Sequence, residues 1–147
     1  MTQPMWAADI AIDRALAALL IAVQFPALRS ETLEAFGVGW DNAAFLVGGK
    51  LLFRFPRRRV AVPLMEREIA ILPHVASHVP NAISAPTLLG TASDAYPYAF
   101  AGYDLIAGKT ACSVALTDGG RCALATPLGR FFRALHDIDP DPLVARG

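Results

Sequence analysis

Residues 40–56 read Trp40-Asp41-Asn42-Ala43-Ala44-Phe45-Leu46-Val47-Gly48-Gly49-Lys50-Leu51-Leu52-Phe53-Arg54-Phe55-Pro56. Two apolar runs of strand length flank a glycine pair, and a two-residue hairpin turn needs positive φ angles that glycine adopts without a steric penalty. The stretch therefore predicts a β-hairpin: a strand over 40–47, a turn at Gly48-Gly49, and a strand over 50–55 that Pro56 ends. The second strand alternates. Leu51, Phe53 and Phe55 fall on one face, and Leu52 and Arg54 on the other.

Working outward, Leu33 to Phe36 predicts a further short strand and Gly37-Val38-Gly39 a turn before the hairpin. Upstream, Ile10, Leu16, Leu19, Leu20 and Val23 recur at helical spacing, which predicts a helix over about 8–24 that Pro26 stops. Downstream, Pro63 suits the first turn of a helix, where its missing N–H costs nothing. Val62, Met65, Ile69, Leu72 and Ala76 mark its apolar stripe, and Pro73 is expected to kink it or end it early. After a linker at 81–86, two strands are expected over 87–92 and 98–106, separated by Ser93-Asp94-Ala95-Tyr96-Pro97. A last helix is expected over 121–136, carrying Leu124, Leu128, Phe131, Phe132 and Leu135. Asp139-Pro140-Asp141-Pro142 then breaks it. Short, mostly hairpin-linked strands with helices around them imply an α+β fold with a mainly antiparallel five-stranded sheet.

Composition narrows the function classes. The 147 residues carry 13 basic and 13 acidic side chains, a formal net charge of +0, which argues against a nucleic-acid binder. With 54% hydrophobic and 18% charged residues the chain is not disordered, and it is apolar for one small domain. The longest apolar run, 15–23, is short of the roughly 20 residues a membrane span requires. It lacks the basic flank of a signal peptide. Two cysteines, Cys112 and Cys122, are too few for a disulfide framework, so a reducing cytoplasm is the expected location.

Five segments stand in an order that resembles the N-terminal lobe of the protein kinase–like fold, and more narrowly the aminoglycoside phosphotransferase family. They are Gly37-Val38-Gly39-Trp40-Asp41-Asn42, Phe53-Arg54-Phe55-Pro56-Arg57, Glu66-Arg67-Glu68-Ile69-Ala70-Ile71-Leu72, Tyr103-Asp104-Leu105-Ile106-Ala107-Gly108 and Leu135-His136-Asp137-Ile138-Asp139. The resemblance implies a division into an N-terminal helical segment (1–30), a kinase-like N-lobe with an αC-like helix (31–108), and a hinge-following segment with a linker helix (109–147). It also implies the following assignments. Gly37, Gly39 and Asn42 belong to a turn over the nucleotide phosphates, with Asn where the kinase pattern has its third glycine. Arg54 stands where kinases carry a phosphate-binding lysine. Glu68, with Glu66 as the competing assignment, is the helix carboxylate that pairs with it. Tyr103 to Ala107 form a hinge whose backbone reads the purine, with Leu105 and Ile106 assigned by position, and Leu46, Val47 or Ala44 would roof the base.

The family's reaction moves the γ-phosphoryl group of ATP or GTP, with magnesium, to a hydroxyl of a small molecule. Its catalytic loop of His-Gly-Asp type and its metal-binding aspartate belong to the C-terminal lobe, and neither motif occurs in these 147 residues. No catalytic residue is therefore assigned here, and the 147 residues alone are expected to be inactive. The apolar surplus is expected to lie on the sheet underside and the last helix, covered by a C-lobe or a second copy in a homo-oligomer. The alternative is a non-catalytic module that binds nucleotide or a partner and self-associates.

Three other signals are set aside. Ala107-Gly108-Lys109-Thr110 imitates the end of a P-loop but lacks its first glycine. His74 and His78, four apart, lack the glutamate of a zinc helix. Arg57-Arg58-Arg59 is expected to be a solvated basic loop.

Overall fold

The computed structural model describes residues 7–141. Its helices of more than one turn are α1 (Arg14–Gln24), α2 (Val62–Ala76) and α3 (Asp118–His136). Its strands are β1 (Leu33–Val38), β2 (Asn42–Val47), β3 (Leu51–Pro56), β4 (Pro86–Gly90) and β5 (Phe100–Asp104). They form one antiparallel sheet in the order β1-β2-β3-β5-β4. The β2–β3 hairpin turns at Gly48 (φ 58°) and Gly49 (φ 66°), the two positive angles that the glycine pair implied.

The alternation in β3 sorts the molecule into layers. Phe53 and Phe55 are fully buried on one face, where Phe45, Val47, Phe100 and Tyr96 join Ala17, Leu20 and Ile21 of α1 in one core. Phe55 and Phe100 stack with ring centroids 4.6 Å apart. The Tyr96 hydroxyl reaches the carbonyl of Pro56 at 2.6 Å, which satisfies the polar end of a buried ring. The chain's own first helix therefore covers the aromatic sheet face, where a second lobe or copy was expected. On the other face, Met65 and Ile69 of α2 pack on Ala101 and Tyr103 of β5. Among the described residues, that leaves the β1–β2–β3 part of this face without a helix packed over it.

Several boundaries differ from the sequence expectation. The helix expected from residue 8 begins at Arg14, because Asp13 caps it by accepting from the Leu16 N–H at 2.8 Å. Residues 9 and 10 instead donate their N–H groups to the Arg57 carbonyl. β1 runs on through Gly37 and Val38 past a bulge after Ala35, so the turn falls at 39–41 and β2 starts at Asn42 rather than Trp40. Pro73 does not stop α2, which continues to Ala76. In the last turn a proline removes one backbone hydrogen bond, and burial of Met65 and Val75 holds the helix in place. α3 begins at Asp118, three residues earlier than expected, because Thr117 caps it, and it contains Pro127. β4 and β5 are shorter than their apolar runs. The end of the C-terminal breaker, Pro142, lies outside the described residues, as do the outermost parts of the first and last segments.

Candidate active site

The helix-free part of the sheet carries a cleft of about 570 Å³, lined by Ala44, Leu52 and Arg54 and walled by residues 36–42. Arg54 points into it because β3 places even-numbered side chains on this face. Antiparallel pairing sets Arg54 opposite Ala44 on one side and Ala101 on the other, and two small neighbours leave the long side chain room.

Arg54 meets Glu68 as a fork. Its Nη1 donates to Glu68 Oε2 at 2.6 Å and its Nη2 to Oε1 at 3.3 Å. Both side chains are about 30% exposed, so the pair is shielded from bulk water on one side only. The bidentate geometry fixes the guanidinium plane, while its remaining N–H bonds are not committed to Glu68. Glu68, not Glu66, takes this place, because α2 buries Met65 and Ile69 and position 68 lies beside them on the same face.

Tyr103 completes the cluster. Its hydroxyl donates to Glu68 Oε2 at 3.1 Å, and the Arg54 guanidinium carbon lies 5.5 Å from its ring centroid. Burial pushes the Tyr103 phenol well above its ordinary value of 10.0, helped by the neighbouring Glu68 charge, so it stays a proton donor at neutral pH. The sequence reading placed this residue in the hinge and missed its contact with Glu68. Its signal was the alternation Ala101-Gly102-Tyr103, but only the β3–β5 register places that ring beneath Arg54.

The glycine turn forms the cleft's other wall. The Gly39 N–H donates to the Asn42 carbonyl at 2.9 Å. Gly37 has nothing within 4 Å of the place a Cβ would take, so the wall is open there. Asn42 Oδ1 is buried without a hydrogen-bond partner among the described residues, an acceptor left unused in the cleft wall. The turn is braced from behind. Arg57 Nη1 donates to the Gly39 carbonyl at 2.8 Å, the Arg57 N–H to the Asp41 carbonyl at 2.7 Å, and Arg58 pairs with Asp41 at 3.3 Å. Arg57 and Arg58 are thus struts of the turn, not the solvated loop expected. Run composition cannot distinguish the two, because the partners are carbonyls and an aspartate distant in sequence.

Of the residues expected to roof a base, Ala44 lies in the cleft and Leu46 shares its face, whereas Val47 is buried in the opposite core. In the expected hinge segment, Leu105 and Ile106 are both exposed and do not line the cleft. The Leu105 N–H already donates to the Lys50 carbonyl at 2.8 Å. Strand alternation turns the neighbouring Asp104 backbone groups away from β3. Among the described residues no three His, Cys, Asp or Glu side chains converge. His78 Nδ1 lies 2.8 Å from the His74 carbonyl, and the two rings, tilted 40° to each other, lie near the end of α2, away from the cleft. No described helix is long and apolar enough to cross a membrane.

An antiparallel sheet with one helix on the face that carries Arg54, and an Arg–Glu fork between them beneath a glycine turn, is the architecture of a kinase-like N-terminal lobe. A sequence profile of the phosphotransferase enzyme family (APH) matches residues 32–147, and the chain belongs to that family. Among solved structures, the GDP complex of aminoglycoside 2'-phosphotransferase-IIIa is 26% identical with a TM-score of 0.82, over 92% of this chain and 46% of that one. The GDP and kanamycin complex of APH(2")-IIia is 28% identical with a TM-score of 0.78, over 89% of this chain and 44% of that one. Macrolide 2'-phosphotransferase MphH from Brachybacterium faecium, in its apoenzyme form, shares the fold at 21% identity and a TM-score of 0.62, over 92% of this chain and 48% of that one. The chain thus spans less than half the length of each of these structures. No curated protein matches it.

Proposed function

We propose that this chain is the nucleotide-binding lobe of a small-molecule O-phosphotransferase and that its cleft binds the phosphates of a purine nucleotide. The observation that carries this reading is the Arg54–Glu68 fork at the cleft floor beneath the 37–42 turn. A guanidinium held by a carboxylate on one edge keeps N–H bonds for phosphate oxygens on the other. The cleft volume falls within the range of small-molecule sites, and its Ala44 and Leu52 lining suits a flat base. The GDP complexes of similar structures support a purine nucleotide as ligand. When bound, ATP or GTP with magnesium supplies the phosphoryl group. Arg54 would hold phosphate charge, Glu68 would orient Arg54, and the turn would exclude water from above. Gly37, Gly39 and Asn42 take the turn, and Leu105 and Ile106 the base.

The acceptor would be a hydroxyl on a small molecule of aminoglycoside or macrolide type, consistent with antibiotic modification in the cytoplasm. The 147 residues alone are expected to transfer no phosphate, since no motif in them supplies an acceptor base. The test is a titration of the chain with fluorescent mant-GDP and mant-ATP. Saturable binding that Arg54→Ala abolishes supports the reading, and no binding at millimolar nucleotide sinks it.

A second reading rests on α3. Leu124, Leu128 and Phe132 are 41%, 51% and 51% exposed, one stripe at helical spacing, and no α3 residue is buried. A C-lobe or a second copy would cover it. Sedimentation of the purified chain tests the second copy, and a monomer at high micromolar concentration excludes it.

A further inference from the structure

We infer that Tyr103 is the positioning residue of this lobe: its hydroxyl locks Glu68 in the one orientation that presents Arg54 to the cleft. The inference rests on the nucleotide reading above and assigns a role to a residue outside the Arg–Glu pair. The geometry carries it. Glu68 Oε2 receives Arg54 Nη1 at 2.6 Å and the Tyr103 hydroxyl at 3.1 Å, so one oxygen joins both donors. Arg54 alone could follow a rotating carboxylate. Tyr103 cannot, because the residue is 1% exposed and packed against Met65 and Ile69, with its hydroxyl also 3.4 Å from Met65 Sδ.

The ring also lies close to the guanidinium carbon, at 5.5 Å, which disfavours an Arg54 rotamer swung away from the sheet. The phenol is a donor with two acceptors in reach, and burial holds its proton across the physiological range. Glu68 is therefore tied to the sheet through β5 as well as to β3. A shift of α2 would break a hydrogen bond to a residue buried in the sheet. Phenylalanine at 103 would keep the packing and remove only the tie.

The test compares the wild-type chain with Tyr103→Phe, Glu68→Gln and the double variant. One arm needs no nucleotide: the Arg54 Nε–Hε signal in 15N NMR spectra. A single sharp signal in the wild type that broadens or moves in Tyr103→Phe supports the inference, whereas an unchanged signal in a folded Tyr103→Phe overturns it. The other arm is mant-GDP affinity. Tyr103→Phe is expected to weaken it about three- to tenfold, and to add no more than about twofold once Glu68 is glutamine. Equal losses in both backgrounds overturn the inference, since Tyr103 would then act independently of Glu68. If the wild type binds no nucleotide, the functional reading fails and the NMR arm still decides this one.

Discussion

Arg57 Nη1 donates to the carbonyl of Gly39 at 2.8 Å, so the end of β3 holds the tip of the turn that overhangs the cleft. The same residue is itself tied from the other side, because the N–H groups of Asp9 and Ile10 donate to its carbonyl at 2.9 and 3.1 Å. Residues that precede the family match thus support the wall of the candidate site. Arg57→Ala should leave the fold intact, with a loss of about 1 kcal/mol or less. It should speed amide hydrogen exchange over 39–42 and weaken mant-GDP binding several-fold. Unchanged exchange in that turn would show that the strut is not needed.

The Arg54–Glu68 fork predicts that charge alone is insufficient at position 54. Arg54→Lys keeps the cation but can make only one of the two bonds to Glu68. Its nucleotide affinity should lie between that of the wild type and that of Arg54→Ala. Stability should change by only about 1 kcal/mol, because the pair is partly open to solvent. Equilibrium titration and urea unfolding of the three proteins check both statements.

Glycine at 102 is a packing requirement. A Cβ there would stand 2.8 Å from the Phe53 ring and 3.1 Å from Leu88 Cβ. Phe53 is fully buried and cannot retreat. Gly102→Ala should destabilise the chain by about 1–3 kcal/mol, read as a lower urea midpoint at an unchanged slope. Gly37→Ala, with open space around it, should cost much less and serves as the control.

The cap of α1 predicts a smaller effect. Asp13→Ala removes the side-chain acceptor for the Leu16 N–H and should cost about 1 kcal/mol. Asp13→Asn should restore most of it, because an amide oxygen caps equally well. Thermal unfolding of the pair distinguishes lost capping from lost charge.

Two buried phenols predict a loss of stability at alkaline pH. Burial raises Tyr96 and Tyr103 well above their ordinary 10.0, Tyr96 with help from Tyr98 and Tyr103 with help from Glu68. The folded state holds these protons more tightly than the unfolded state. Their contribution is therefore fully present below pH 10 and is lost as pH rises above it. Urea midpoints should fall from about pH 10 upward, and Tyr103→Phe should make the fall shallower. Equal slopes in the two proteins would exclude Tyr103 from the effect.

Much of the architecture is legible along the chain. Gly48-Gly49 between two apolar runs specifies the hairpin, and alternation in β3 separates Phe53 and Phe55 from Arg54. These are local properties, set by backbone sterics and a two-residue period, and need no distant partner. The limits of α1 and α3 were equally local, but the caps at Asp13 and Thr117 outweighed the apolar periodicity that placed those helices. Pro73 shows the opposite case, where tertiary packing of α2 outweighed a local breaker.

The site is less legible, because its contacts join residues far apart in sequence. The sequence alone determined that a basic residue lies on the face of β3 opposite the aromatic one, beneath a glycine turn. It left Glu66 and Glu68 in competition, since one helical step separates them and only the packing of Met65 and Ile69 on β5 fixes the rotation of α2. It gave no sign that Tyr103 would hold Glu68 or that Arg57 would hold Gly39. It also expected a C-lobe or a second copy to cover the sheet underside, whereas α1 covers the aromatic face of the sheet. Each of these depends on which surfaces meet, and the docking of helices on a sheet is decided by shape and burial summed over the whole molecule.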